Sequence, residues 1–270
     1  PGGRAMTDTM EKQQETAGQL RDRVALVTGG ARGIGAACAL ALAEAGADIV
    51  VSDVTHLDEA EALRSQIGQL GRQVMVQRAD VTDRAAVEAL IAATVQRFGR
   101  LDIAVANAGY SIRQPFLEVT PEAMAATFAV TYWGVFHTLQ LAAHAMVTQG
   151  SGGRLIVISS IHAEQPFAHS ASYNAAKAAA VHLARTAANE LAPHRITVNC
   201  IAPGWIDTPG ERAYASEAEL AAGGRALPWG RLGQPREIGA VAAFLASDEA
   251  EFVSGAFIRA DGAQMVAMGS

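Results

Sequence analysis

The chain has 270 residues, half of them hydrophobic, with 21 Lys and Arg against 27 Asp and Glu for a formal net charge of −6. Its length allows one large domain or two small ones, and no Pro/Gly/Ser-rich linker or charge block divides it, so it reads as one. The acidic balance, with no long basic run, argues against a nucleic-acid surface, and no apolar run reaches the roughly 18 residues of a membrane span.

Residues 1–19 are polar and unpatterned and read as a disordered tail, with Pro1 to Ala5 ahead of Met6 as an expression-tag remnant. No signal-peptide pattern precedes the first strand. Residues 24–27 form the first apolar run, and a glycine-rich turn from Thr28 to Gly35 follows it. Residues 33–45 then read as a helix ended by Gly46. A second run, 49–53, ends on Asp53. The third, 74–77, leads to Asp80, and the fourth, 101–106, to Asn107. Thr120-Pro121-Glu122 supplies an N-cap, a proline at the first helical position and a first-turn acid. It predicts a helix running to about Val147. The fifth run, 155–158, leads to Ser159 and Ser160. A helix from Ala171 to near Pro193 carries Tyr173 and Lys177. The sixth run, 196–199, leads to Ala202-Pro203-Gly204, and the seventh, 256–258, to Asp261-Gly262.

Seven apolar runs alternate with helical stretches, and runs without polar alternation suit strands buried on both faces. The expected fold is a single doubly wound Rossmann-type α/β domain over 20–270, a seven-stranded parallel sheet with helices on both faces. In such sheets ligands bind beyond the carboxyl ends of the strands, where every unusual polar cluster named above falls.

The first turn carries Gly29, Gly33 and Gly35 in a GxxxGxG order. A tight turn, close backbone approach and a helix N-terminus suit the pyrophosphate of a dinucleotide. Asp53 lies 18 residues past Gly35, where a carboxylate accepts from ribose hydroxyls and repels a 2′-phosphate. That favours NAD. Arg32 in the loop argues the other way, leaving NADP open. Asp80-Val81 suits the adenine end, and the small residues of Asn107-Ala108-Gly109 let a cofactor lie against the sheet.

Tyr173 and Lys177 are spaced i, i+4 and share a helix face. A phenol of ordinary pKa near 10 is a poor base at neutral pH, and a nearby ammonium together with a cationic nicotinamide favours the phenolate. Ser160, thirteen residues earlier, suits a donor to the substrate oxygen, with Tyr173 taking the hydroxyl proton. The spacing alone is common on helices. The serine at a strand end and the glycine loop make it informative.

Together these residues resemble the short-chain dehydrogenase/reductase family from about Leu20 to Ala263. The landmarks are Thr28 to Gly35, Asp53, Asp80, Asn107-Ala108-Gly109, Ser160, Tyr173, Lys177, Pro203-Gly204 with Thr208, the stretch Gly230 to Pro235, and Asp261-Gly262. The resemblance implies that Ile34 belongs to the cofactor loop, that Ile206 and Thr208 contact the nicotinamide carboxamide, that Lys177 grips the nicotinamide ribose, and that about 205–229 is a mobile lid. One departure is Thr131 where the family has an asparagine that seats a relay water; the threonine hydroxyl is expected to take that water less rigidly. Helices over 123–147 and 171–191 resemble the faces through which members form dimers and tetramers, so a homodimer or homotetramer is expected.

Between Ser160 and Tyr173, the polar His162, Glu164 and Gln165 are expected to wall the substrate pocket. Hydroxyl partners suit a sugar or polyol, and the stretch resembles that of glucose 1-dehydrogenases, although Ser111 stands where those enzymes tend to carry an acid. Glu211, Arg212, Trp205 and Trp229 fall in or near the lid, as packing or binding groups. The expected activity is hydride transfer between NAD and a secondary alcohol or carbonyl, with Ser160, His162 and Tyr173 on the substrate. A 3-oxoacyl or general ketone reductase is the alternative. A non-catalytic dinucleotide-binding protein is disfavoured because Ser160, Tyr173 and Lys177 are all present. Cys38 and Cys200 read as separate buried thiols in a reducing, cytoplasmic compartment, and no metal-ligand spacing occurs.

Overall fold

In the computed structural model, which describes residues 18–267, the first apolar run becomes β1 (Val24–Thr28), buried at every position. The predicted tail lies outside the described residues except for Gly18 and Gln19. Six more strands follow: β2 (Asp48–Asp53), β3 (Val74–Arg78), β4 (Ile103–Ala106), β5 (Gly153–Ile158), β6 (Ile196–Pro203) and β7 (Phe257–Ala260). They form one sheet in the order β3-β2-β1-β4-β5-β6-β7, parallel throughout. The chain turns back between β1 and β4, and a crevice opens there beyond the strand ends.

The helices are α1 (Gly33–Glu44), α2 (Leu57–Gln69), α3 (Arg84–Phe98), α4 (Pro121–Phe128), α5 (Gly134–Gln149), α6 (Ala171–Leu191), α7 (Pro209–Arg212), α8 (Glu217–Ala226), α9 (Pro235–Ala246) and α10 (Gln264–Ala267). Successive strand residues face opposite ways. Ala25 and Val27 pack with Cys38 and Leu42 of α1, Leu63 and Ile67 of α2, and Ile238 and Leu245 of α9. Val24 and Leu26 pack on the other side with Leu90 of α3, Leu139 and Met146 of α5, and Ala180 and Ala184 of α6. This is the expected Rossmann-like layering. Cys38 and Cys200 are unpaired and buried, and burial pushes both thiols up to about 12. Among the described residues no helix is long and apolar enough to cross a membrane.

Several boundaries differ from expectation, β5 starting at Gly153 and β6 running on to Pro203, and three more are instructive. β4 starts at Ile103 rather than Leu101, because the Leu101 N–H donates to the Gln149 side chain at 3.0 Å instead of a neighbouring strand. β7 runs on to Ala260, held against Pro203 of β6. The helix from Thr120, whose hydroxyl accepts from the Ala123 N–H as its cap requires, is not uniform. It widens into a π-helical turn at Ala129–Trp133 before continuing as α5 to Gln149. Such turns gather at functional sites, and this one holds Thr131.

Candidate active site

The glycine turn leaves β1 with Gly29 at φ 59° and Gly33 at φ 58°, backbone that a side chain rarely adopts. α1 begins at Arg32 with no side chain capping its first turn and no acid there, so its free N–H groups and dipole face the crevice. The Asn107 amide braces the turn, donating to the carbonyls of Thr28 at 3.0 Å and Gly29 at 2.8 Å. Asn107 was expected at the cofactor; its amide group serves the loop that would hold one. A cavity of about 700 Å³ runs from Gly29, Arg32, Gly33, Ile34 and Gly35 past Asp53 to Ser160 and Tyr173. An uncapped helix end, a turn with no room for a Cβ at Gly29, Gly30 or Gly35 and a cavity this long fit a dinucleotide.

Asp53 ends β2 almost fully buried. Its Oδ1 accepts from the N–H groups of Val54 (2.8 Å), Thr55 (3.1 Å) and His56 (3.2 Å). Burial opposes its charge, but the Thr55 and His56 bonds win and hold the carboxyl below the usual range. Oδ2 is left for a ligand among the described residues. Asp80 is exposed, its Oδ1 accepting from Thr82 N and Oγ1 in a tight turn, and Val81 is buried beside it on the wall. Arg32 lines the cavity and has no partner among the described residues.

At the other end, Ser160 follows β5 and caps a short turn, accepting the His162 N–H at 3.2 Å. α6 presents Tyr173 and Lys177 one turn apart. The Ser160 hydroxyl lies close enough to the Tyr173 phenol to favour its ionisation. Lys177 is buried, donates to the Ile158 carbonyl at 2.7 Å, and lies with Nζ 5.4 Å from the Tyr173 ring centroid. Burial pushes Lys177 down to about 8. Burial, then the Glu211 charge, push Tyr173 up to about 12, opposed by the nearby Ser160 hydroxyl and Arg113. In the chain alone the phenol is therefore held protonated, although the sequence pattern suggested an ammonium that ionises it.

The low value of Lys177 has a consequence for stability. Between about 8 and the unfolded value of 10.5 the folded lysine is neutral while the unfolded one stays charged. The unfolded chain binds more protons there, so stability rises with pH. The wild type is expected to gain ~2 kcal/mol on Lys177→Met between pH 7.5 and 9.5, measured by urea unfolding. Parallel stability curves for the two proteins would sink this.

Pro203, Gly204, Ile206 and Thr208 close the cavity from the end of β6, with Ala108 and Gly109 opposite. Thr208 caps α7, accepting the Glu211 N–H at 3.2 Å. The expected lid is built of α7 and α8. It is tied to the loop after β4 by an Arg113–Glu211 ion pair at 3.0 Å and by Arg113 lying 4.8 Å from the Tyr214 ring centroid. The Trp205 indole donates to the same Glu211 carboxylate. Arg212 binds Asp207 and Glu217 within the lid, away from the cavity.

Three expectations are corrected. Thr131 is fully buried and off the cavity wall, and its hydroxyl donates to the Tyr110 carbonyl (2.8 Å) and accepts the Tyr110 N–H (3.0 Å). It braces the loop beyond β4 instead of offering itself to a relay water. Glu164 turns outward to Arg259, whose Nε donates at 2.6 Å. Gln165 is likewise off the cavity wall. Of the predicted polar wall His162 alone faces the cavity. Sequence reasoning missed Arg113, His56 and the Asn174 partner of His162. Asn174 lies inside the Tyr173–Lys177 pattern; Arg113 carries no local signal.

A family model described as enoyl-(acyl carrier protein) reductase matches residues 29–263. The chain is 41% identical to a cis-4-hydroxycyclohexanecarboxylate dehydrogenase of Sinomonas cyclohexanicum, over 89% of this chain and 96% of that one. It is 33% identical to an L-rhamnose 1-dehydrogenase (NAD(P)(+)) of a Sphingomonas species, over 92% and 98%. The fold superposes on an acetoin dehydrogenase from Salmonella typhimurium with a TM-score of 0.83 at 34% identity, covering 90% and 96%.

Proposed function

The chain belongs to the short-chain dehydrogenase/reductase family, oxidoreductases acting on alcohol groups, and from that premise we propose that it interconverts a secondary alcohol and its carbonyl with NAD, on a sugar or polyol. The observation that carries this is one cavity lined at one end by the uncapped start of α1 and Asp53 and at the other by the Ser160–Tyr173 hydroxyl pair over a buried Lys177. The glycine turn, Asp53, Asp80, Val81, Ala108, Ile206 and Thr208 hold the dinucleotide, with Pro203 and Gly204 behind it. When bound, the nicotinamide supplies the hydride acceptor or donor. Ser160 and Tyr173 hold the substrate oxygen between them. In oxidation Tyr173 receives the hydroxyl proton; in reduction it returns one to the carbonyl oxygen. Lys177, kept against the Ile158 carbonyl, holds positive charge beneath that exchange.

Dinucleotide reduction with NAD and then NADP, across aldoses, polyols and simple secondary alcohols, tests the reading. Turnover of an aldose or polyol supports it. Turnover confined to hydrophobic alcohols, or oxidation of the reduced dinucleotide by 3-oxoacyl thioesters, favours a ketone reductase, the reading supported by a 33% identical 3-oxoacyl-[acyl-carrier-protein] reductase of Thermotoga maritima and by the outward turn of Glu164.

Asp53 is the proposed cofactor selector. Its carboxylate stays charged across the working range, so a 2′-phosphate meets repulsion. Asp53→Ser is expected to narrow the NAD over NADP preference in kcat/KM by about tenfold. An unchanged ratio would assign the choice to Arg32.

The proposal includes a cytoplasmic homodimer or homotetramer. Two unpaired thiols suit a reducing compartment. Phe116, Leu117 and Trp133 stand exposed close to α4 and α5 in sequence, where a second copy would cover them.

A further inference from the structure

His162 has its ring stacked on Phe167 (centroids 4.3 Å apart) and edge-on to Tyr173 (5.2 Å). Its Nδ1 lies 2.6 Å from Asn174 Oδ1. The Asn174 amide has one orientation, because its Nδ2 donates to the Phe167 carbonyl at 2.9 Å, and turning it over would set two oxygens against each other. Asn174 therefore offers His162 only an acceptor, and His162 must carry its proton on Nδ1. Nε2 is then a bare lone pair on a ring that lines the cavity, with no partner among the described residues.

Burial holds His162 below the usual imidazole value against its bond to Asn174; Arg113 and Lys177 push the same way and Glu211 opposes them. The ring stays neutral and Nε2 stays an acceptor at neutral and alkaline pH. Its place is set by chain geometry. It lies two residues after Ser160 and against the edge of Tyr173, next to the hydroxyls that receive the substrate oxygen.

We propose that Asn174 fixes His162 as an acceptor for a hydroxyl on the carbon next to the reacting one, so that the site selects vicinal diols and the corresponding α-hydroxy ketones. This rests on the oxidoreductase reading above and narrows its substrate class. A methyl or ether oxygen at that carbon has no proton to give and leaves Nε2 unpaired. His162 is a specificity group that touches substrate; Asn174 is a positioning residue that acts through it.

The test compares butane-2,3-diol with butan-2-ol and 3-methoxybutan-2-ol as substrates. The wild type is expected to favour the diol by about tenfold or more in kcat/KM, unchanged between about pH 7 and pH 9. Asn174→Ala should lose that preference mainly through KM for the diol, with kcat for butan-2-ol little changed. Nitrogen-15 spectra of the dinucleotide-free protein supply a readout apart from turnover: His162 should be protonated on Nδ1 alone in the wild type and mixed in Asn174→Ala.

Equal kcat/KM for diol and monoalcohol in the wild type, or an Nε2-protonated His162, overturns the inference and leaves the oxidoreductase reading standing. Absence of turnover of every alcohol with either dinucleotide removes the oxidoreductase reading and this inference with it.

Discussion

Tyr173→Phe is expected to lower turnover by about 10³-fold while dinucleotide affinity, followed by nicotinamide fluorescence, stays within a few fold. The substitution removes one oxygen and keeps the ring that packs against His162, so the fold has no reason to change. What is lost is the phenol beside Ser160, the group proposed to take the hydroxyl proton at the point of reaction. In the chain alone burial and the Glu211 charge keep that phenol protonated, at about 12. A bound cation and the Lys177 ammonium must favour the phenolate before oxidation proceeds. Wild-type oxidation is accordingly expected to climb with pH through the neutral range, since the proton-accepting form becomes commoner as pH rises. Residual turnover in Tyr173→Phe above about a tenth of wild type would remove Tyr173 as the base and point to Ser160 or solvent.

The half of the cavity proposed for the dinucleotide is lined by residues that the sequence singled out, because such chemistry would force residue types at fixed local spacing. A phosphate-binding turn needs glycines within a few residues of a strand end. A ribose selector needs a carboxylate at the next strand end. The Tyr173–Lys177 pair needs one helical turn. The substrate half depends on contacts between distant segments. Glu164 finds Arg259 across 95 positions, and Arg113 finds Glu211 across 98. No local pattern marks either pair, so Glu164 looked like pocket wall and Arg113 went unnoticed. The break in the helix after Thr120 was equally silent: Ala129-Val130-Thr131-Tyr132-Trp133 contains neither glycine nor proline. The Thr131 hydroxyl is bound to the backbone of Tyr110, 21 positions earlier. The short Thr131 hydroxyl reaches both the N–H and the carbonyl of Tyr110.

Gly35→Ala is expected to cost dinucleotide affinity at least tenfold and to lower Tm by roughly 5 to 10 °C. Gly35 sits in the first turn of α1, where its backbone is ordinary helix, so conformational freedom is not what it supplies. It supplies space. A Cβ there would stand 2.5 Å from Asn107 Nδ2 and closer still to the Gly29 carbonyl oxygen, with Gly30 Cα at 2.9 Å. None of these can swing aside as the end of a long side chain would. Asn107 Nδ2 is already committed to the Thr28 and Gly29 carbonyls, and moving the Gly29 oxygen breaks that brace and shifts the turn that would cradle the pyrophosphate. Stability and binding should therefore fall together, with kcat at saturating dinucleotide much less affected. Gly68→Ala is the internal control: it lies in α2 with nothing within 4 Å of an added Cβ, and alanine there should be neutral or stabilise by up to about 1 kcal/mol. A Gly35→Ala protein that melts with the wild type and binds dinucleotide equally well would mean that the turn after β1 yields to a methyl group, and the assignment of that turn as the phosphate cradle would fall with it.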